Sequence, residues 1–497
     1  MRFMYDGTKL VPEPLSAVRG EKAVPISHIA TIPIREQNPY FSASSELLSF
    51  LAGRQLLLEE LPFSLEQIQA HYENGYVSYQ KGVASTEQGH RCMRCGNDVP
   101  HLFASFFCAR CETVCTYCRK CVTMGRVSEC TPLVVSNVPP ERIVYPYPLV
   151  WTGTLSKAQQ QAADAVVQAI EQRTELLIWA VCGAGKTEVL FPGIKRALER
   201  GERVCLATPR TDVVLELAPR LKRAFPSVPT IALYGGSEER NKQASLVIAT
   251  THQLLRFYRA FDVMIMDEVD AFPYSVEPML AYAAEKARTE TSTLLYLTAT
   301  PSENWQREIK QNKRAAVTIP ARYHGYPLPV PMFEWCGNWR KKVTKGTLPT
   351  NVLAWVEKRL DEKKQAFLFV PHVELLEKVA AILQRLDRRI VGVHAEDKAR
   401  KEKVQSFRDG TIPLLVTTTI LERGVTVPNI DVAVLGAEDD VFTEGALVQI
   451  AGRVGRSAQY PSGDVRFFHF GKTRAMVKAK QHICHMNDEA RKRGVLR

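Results

Sequence analysis

Fifteen residues, Leu176 to Leu190 (LLIWAVCGAGKTEVL), restrict this chain more than any other stretch. Leu176 to Val181 is an apolar, β-prone run of strand length, and Gly183, Gly185, Lys186 and Thr187 form a turn that opens onto a helical pattern. Glycine lets backbone N–H groups converge on phosphate oxygens with no Cβ in the way, and a helix start adds partial positive charge there. The spacing predicts a phosphate-binding loop made of Gly183, Ala184, Gly185, Lys186 and Thr187, although Ala180 stands where the usual pattern begins with glycine. In such a loop Lys186 reaches the β and γ phosphates of ATP and the Thr187 hydroxyl ligates Mg²⁺. About eighty residues further on, Val263 to Met266 reads as a short apolar strand that ends in Asp267 and Glu268. Ligands bind at the C-terminal ends of parallel strands. Asp267 is therefore expected to hold Mg²⁺, and Glu268 to orient and polarise the attacking water.

A chain of 497 residues has room for three or four domains, each with its own core. Its 45% hydrophobic and 24% charged residues are those of an ordinary globular protein. No apolar run approaches the roughly 18 residues of a membrane span, and MRFMYDGTKLVPEP has charges and prolines where a signal peptide needs an apolar core. The expectation is a cytoplasmic protein with no transmembrane segment of its own. The net charge of +12 favours a polyanionic partner. Half of that excess lies from Lys472 onward, in a basic tail that reads equally well as a solvated terminal helix.

Eight of the twelve cysteines fall between Cys92 and Cys130. In a reducing compartment that density points to metal rather than disulfides. Cys92 with Cys95 and Cys108 with Cys111 are two Cys-x-x-Cys turns twelve residues apart, a spacing that suits one closed tetrahedral Zn²⁺ site. Cys115, Cys118, Cys121 and Cys130 make up a second four-sulfur site, unless Cys121 is spare or ligands are exchanged between the two. One or two zinc ions are thus expected. Arg91, Arg94, Arg110, Arg119, Lys120 and Arg126 lie among Phe103, Phe106, Phe107 and Tyr117 here, a mixture that suits single-stranded DNA or simply the core of a small module.

Ahead of the cysteines, Glu46 to Glu60 has helical periodicity, and Ser64 to Tyr72 predicts a second helix capped by Ser64 with Gln67 three residues on. After them comes a proline-rich connector (Pro139 to Pro148), then Gln159 at the start of a helix, either a surface residue behind a Ser156 N-cap or, as a glutamine so placed does in nucleic-acid motors, a reader of the adenine edge. Val204 to Arg210, Leu246 to Leu255 and Thr293 to Pro301 continue an alternation of strand and helix, which predicts a doubly wound parallel sheet. Thr208, Pro209, Arg210, Thr250 and Thr251 fall on one rim of that sheet and are expected to bind the backbone of a single DNA strand, with Thr298, Ala299 and Thr300 linking the rim to the nucleotide. The proline-rich loop Ile319 to Pro331 separates a second α/β unit with strands at Ala366 to Val370, Val391 to His394, Leu414 to Thr418 and Val432 to Leu435. Thr419 to Thr426 (TILERGVT) and Gln449 to Arg456 (QIAGRVGR) complete the set. Arg453 and Arg456, three apart, are expected on one helix face, where an arginine stabilises charge on the transferring phosphoryl group.

Taken in order, Gln159, GAGKT, TPR, DEVD, TAT, ERGVT and QIAGRVGR resemble the superfamily 2 helicases and translocases over about Trp151 to Gly471. That resemblance implies ATP between two RecA-like lobes, with Gly424 and Gln449 added to the nucleotide contacts and Thr418 to the DNA contacts. A cysteine cluster ahead of such a motor, with TYCRKCVTMGRVSEC leading into it, is similar to the late-competence ComFA family of bacteria. This implies a cytoplasmic protein, peripheral at the inner face of the cell membrane, with competence-machinery proteins as partners and single-stranded DNA as cargo. The fold class is then α/β, with two RecA-like doubly wound parallel-sheet domains preceded by a small cysteine-rich zinc module and a short helical N-terminal region. The divisions are 1–88 (helical region), 89–135 (zinc module), 136–325 and 326–475 (motor domains) and 476–497 (basic tail). Two other functions fit less well. A primosomal replication-restart helicase carries its zinc ligands inside the second lobe, and a zinc-containing DNA-binding scaffold with a switch-like ATP site would not need Lys186, Glu268 and Arg456 intact.

Overall fold

The computed structural model describes residues 1–5, 7–16, 23–87, 89–422 and 427–497. Its framework is two sheets. The first has seven strands in the order Thr230–Leu233, Leu246–Thr250, Val204–Thr208, Phe261–Asp267, Arg288–Thr298, Glu175–Ala180, Ala316–Ile319. Val204–Thr208 runs parallel to both Leu246–Thr250 and Phe261–Asp267, and Glu175–Ala180 runs parallel to Ala316–Ile319. VCLAT and LVIAT are buried at every position. Strands covered on both faces read as continuous apolar runs, which is why these were visible without any alternation. The second sheet has six strands, all parallel, in the order Met332–Trp335, Val465–His469, Asp431–Leu435, Ala366–Phe369, Leu414–Thr417, Val391–Val393. The four strands expected there are present, and Met332–Trp335 and Val465–His469 extend the sheet on one side. Trp339, Val352, Trp355, Leu368 and Leu435 lie in one core against it. These are two RecA-like domains.

The chain divides into two units, residues 1–151, 167–175 and 191–296 in one and residues 152–166, 176–190 and 297–497 in the other. In the first, the N-terminal region mixes helices and strands. Leu65–Glu73 is a helix whose N-cap, Ser64, accepts from the backbone N–H of Gln67 at 3.2 Å, as the capping pattern predicts. The expected helix over Glu46 to Glu60 is shorter. It ends at Leu51, and Gln55–Leu57 becomes a fully buried strand beside Pro132–Ser136, which also pairs with Val77–Lys81. Gly53 makes the break: it takes φ +68°, and a Cβ there would lie 2.8 Å from that of Ala260. A left-handed residue stops a helix, and glycine adopts it at least cost.

This region is bound to the sheet-bearing part of the same unit by buried polar groups. Glu60 bonds to both Arg240, at 2.6 Å, and Arg256, and Arg54 donates to the carbonyls of Phe50, Asn241 and Lys242. Lys286, on the helix Pro278–Ala287, donates to Gln55 Oε1 (2.5 Å) and to the carbonyl oxygens of Arg94 (2.9 Å) and Leu255 (2.9 Å). In the second unit the basic C-terminal residues form the helix Arg474–Lys492, whose buried Met476, Ala479, Ile483, Met486 and Ala490 make one apolar face packed against Glu444–Ala451. No helix among the described residues is long and apolar enough to cross a membrane.

Lys286 ties three segments together, so its loss should be felt globally. Lys286→Met leaves three acceptors without a donor and is expected to destabilise the protein by about 1–3 kcal/mol. A denaturant titration of variant and parent measures this.

Candidate active site and cysteine clusters

Glu175–Ala180 delivers the chain to a turn in which Gly183 (φ +82°) and Gly185 (φ +71°) are both left-handed, and the helix Lys186–Glu199 begins directly after it. Gly185 has a further reason to be glycine, since a Cβ would lie 2.4 Å from the Gln159 amide nitrogen. Lys186 and Thr187 thus fill the first turn of a helix whose N-terminal N–H groups are available to an anion. Gln159 is 5% exposed, and both ends of its amide are used: Oε1 accepts from the backbone N–H of Ser156 and Nε2 donates to the carbonyl of Ala184, each at 2.8 Å. The glutamine expected at adenine therefore braces the phosphate loop in this structure.

The other side of the loop is met by the segment that carries the arginines. Cys182 Sγ donates to Oε1 of the buried Gln449 at 2.9 Å, and a Cβ on Gly452 would lie 2.6 Å from that of Cys182. The helix here is Glu444–Ala451, capped by Thr443. Arg453 and Arg456 do not share a face of it, as the sequence suggests, because the helix ends at Ala451 and both lie in the turn beyond, where Gly455 takes φ +71°. Arg453 is 1% exposed, and Arg456 Nε donates to the Gly452 carbonyl at 3.0 Å. Arg322 enters the same place without any sequence signal. It lies in the proline-rich linker and donates to the carbonyls of Gly452 and Gly455. Gly424 falls outside the described residues, and Thr418, partly exposed, caps the short turn Thr419–Leu421.

In the other unit Phe261–Asp267 ends at the two acids. Glu268 takes φ +55°, its backbone N–H donates to Asp267 Oδ1 at 2.8 Å, and its carbonyl accepts from Ala271 at 2.8 Å. A tight turn thus holds the Asp267 carboxylate against the backbone that follows it. The threonines expected to touch DNA are inside: Thr208 and Thr251 are fully buried and Thr250 is 7% exposed. Pro209 follows Thr208 at the end of its strand and is buried too, and Arg210 is paired with Asp212 at 3.0 Å. Thr298 is buried in the second unit, with its hydroxyl accepting from the Thr300 N–H at 3.0 Å.

All eight cysteines of the N-terminal cluster are buried, and they form two tetrads. The pairing corrects the sequence expectation: Cys92, Cys95, Cys118 and Cys121 are together, as are Cys108, Cys111, Cys115 and Cys130. The hairpin explains the exchange. Phe103–Cys108 pairs antiparallel with Thr113–Cys118, and Cys115 and Cys118, three apart on one strand, point to opposite faces. They cannot serve one ion. A tetrahedron of Zn–S bonds of about 2.3 Å has S···S edges of about 3.8 Å. Cys92–Cys121 (3.8 Å), Cys95–Cys118 (3.7 Å) and Cys108–Cys130 (3.7 Å) match, while Cys111–Cys115 is closer at 3.2 Å. Hydrogen bonds from Cys118, Cys92 and Cys95, with the charge of Arg94, hold the Cys121 thiol far below its ordinary value, while bonding to Cys118 and Cys121 raises Cys95. Cys118 is lowered as well and Cys92 raised, so two of the four sulfurs favour the thiolate and two resist it, a conflict that a divalent cation would remove. On the hairpin, Phe106 packs on Tyr117 and under Arg126, whereas Phe107 is 70% exposed.

Comparison with known proteins gives three family matches in chain order: the N-terminal domain of competence protein ComFA over residues 37–135, the res subunit of type III restriction enzymes over 152–303, and the helicase conserved C-terminal domain over 350–458. Competence protein ComFA of Bacillus subtilis (strain 168) is 52% identical over 461 residues, 93% of this chain and 98% of the relative. ComFA of Streptococcus pneumoniae (strain ATCC BAA-255 / R6) is 38% identical over 396 residues, 77% and 91% of the two chains. Among solved structures, S. cerevisiae Dbp5 bound to RNA and ADP BeF3 superposes with a TM-score of 0.50 at 16% identity, covering 70% of this chain and 95% of that one, a likeness of fold.

The crossed pairing of cysteines has a direct test in metal content. With two zinc ions bound, Cys92→Ala with Cys118→Ala should remove one ion, because both residues serve the same site. Cys92→Ala with Cys108→Ala should remove both. Metal analysis of the purified variants reads the difference, and the reverse result would restore the pairing suggested by sequence spacing.

Proposed function

The chain belongs to the ComFA family of competence proteins, and on that premise we propose that it translocates along single-stranded DNA at the expense of ATP, driving DNA uptake in natural transformation. It is a superfamily 2 ATP-hydrolysing enzyme by its helicase domains and its relatives. The observation that best supports a working motor is the packing of the phosphate loop against the arginine turn through Cys182 and Gln449. A loop that binds the nucleotide and a turn that bears its arginines are then mechanically one element.

In the reading we favour, the N–H groups of residues 183–187 and the Lys186 ammonium hold the β and γ phosphates. Thr187 and Asp267 are the residues that would hold Mg²⁺, which supplies charge neutralisation on the phosphates when bound. Glu268 accepts a hydrogen bond from the attacking water and aligns it. Arg453 and Arg456 offset the charge that develops on the transferring phosphoryl group, a contribution worth roughly 10³ to 10⁵ in rate in comparable enzymes. Gln159 and Gln449 keep the loop in shape, each through one buried hydrogen bond. Loss of the γ phosphate removes the anion that Lys186, Arg453 and Arg456 share with Asp267 through Mg²⁺, which releases the lobes, and the DNA strand shifts relative to one of them. The cysteine tetrads fit zinc in a structural role. Competence-machinery proteins at the inner face of the cell membrane are the expected partners, reached from the cytoplasm.

Steady-state ATP hydrolysis by the zinc-replete protein, alone and with single-stranded DNA, duplex DNA or RNA, tests this. Strong stimulation by single-stranded DNA is expected. Lys186→Ala and Glu268→Gln should each lower the stimulated rate by roughly 10²-fold or more. Tight ATP binding with no stimulation by any nucleic acid would favour a switch-like scaffold instead.

A further inference from the structure

Arg322 is 2% exposed and, after Trp339, the largest fully buried side chain among the described residues. Its guanidinium donates to two carbonyls that bracket Arg453, through Nη1 to Gly455 and through Nη2 to Gly452 at 3.3 Å. The stem lies along the phosphate loop. Its Cγ, Cδ and Nε stand 3.6 to 3.8 Å from where a Cβ on Gly183 would be, and the N–H of Tyr323 donates to the Gly183 carbonyl at 3.2 Å. His324 Nε2 is 3.1 Å from the Gly455 carbonyl oxygen. Gly455 leaves the guanidinium its space, since a Cβ there would lie 2.7 Å from Nη1. Three consecutive linker residues therefore fasten the arginine turn to the phosphate loop.

The charge balance is unusual. Arg322 has no acidic partner among the described residues, its Nε is buried without a hydrogen bond, and burial together with neighbouring Arg456 lowers it to about 10. It remains protonated at neutral pH. Keeping a cation buried with only carbonyl partners is costly, and a neutral side chain would fill the space at lower cost if filling were its task. Its fork geometry is what the two carbonyls use.

We propose that Arg322 is a positioning residue for ATP hydrolysis, one that holds the Gly452 and Gly455 carbonyls beside the phosphate loop so that the turn bearing Arg453 and Arg456 is aimed at the nucleotide. The inference rests on the ATPase activity described above and adds a residue through which the arginines act. An ammonium in place of the guanidinium keeps the charge and cannot fork to both carbonyls.

The test compares the wild type with Arg322→Lys, Arg456→Lys and the double variant, measuring kcat with saturating single-stranded DNA and affinity for a non-hydrolysable ATP analogue. The kcat of Arg322→Lys should fall at least about tenfold, as expected of a small misplacement, with analogue affinity kept within about twofold. The double variant should be no more than about twofold slower than Arg456→Lys alone, because both changes disable the same turn. An unchanged kcat, a loss confined to affinity, or losses that multiply would overturn the proposal, the second by making Arg322 a direct phosphate ligand. Arg322→Gln, which relieves the buried charge, carries the same expectation and serves if the lysine lowers the melting temperature. A wild type that hydrolyses no ATP with any nucleic acid removes the activity itself. Wild-type turnover beside an equally active Arg322→Lys removes only this inference.

Discussion

The contact between the phosphate loop and the arginine turn is the constraint on which the catalytic half of the molecule depends. It requires small residues on both sides. Gly452 must pass Cys182 with no Cβ, Gly183 must turn left-handed beside the Arg322 stem, and Gly455 must turn left-handed under the guanidinium. Each glycine costs chain entropy on folding and returns it as closeness of approach. Lys186, Arg322 and Arg456 have no acidic partner among the described residues. Three cations without acidic partners favour a polyphosphate over any neutral ligand.

What the sequence made visible followed from local chemistry. VCLAT, LVIAT and the apolar run into Asp267 are buried on both faces, so composition alone marks them as strands. The phosphate loop is a local object as well, and its residues occupy the turn and first helical positions that their spacing implies. The arginine turn was harder. A helix through Arg456 fits the three-residue spacing, but it ends before Gly452, and only the left-handed Gly455 reveals a turn. Arg322 left no trace, since its partners lie 130 and 133 residues away and the prolines around it read as spacer. The burial of Thr208 and Thr251 was not legible either: a hydroxyl at a strand end looks the same in sequence whether it faces solvent or the core.

The cysteine pairing was legible in principle. Thr113 to Cys118 (TVCTYC) is rich in β-prone residues, and reading it as a strand sends Cys115 and Cys118 to opposite faces. Grouping by sequence proximity assumes that each pair of knuckles closes on its neighbour, whereas the hairpin carries Cys108 and Cys111 out to its tip and returns Cys118 and Cys121 to Cys92 and Cys95. The two tetrads are consequently interlocked. Neither can be assembled by a segment that excludes all of the other's ligands, so the two tetrads share one hairpin rather than forming two beads.

That interlock bears on the motor through one helix. Pro278–Ala287 begins a few residues beyond the DEVD acids, and its exposed-side chemistry is spent on the tetrad module: the Tyr282 hydroxyl donates to the Met93 carbonyl at 3.3 Å, Gly96 accommodates the Tyr282 ring where a Cβ would lie 2.6 Å away, and Lys286 takes the Arg94 carbonyl. Met93, Arg94 and Gly96 are the residues between and beside Cys92 and Cys95. The knuckle of the first tetrad is therefore a fixed surface against which that helix is set. A further ion pair, Lys120 with Glu277, joins the return knuckle to the residue that precedes the helix. Order in the tetrad and order in the segment after Asp267 and Glu268 are in this way the same packing problem, which accounts for a cysteine module placed in sequence before the motor and built in space into the first unit.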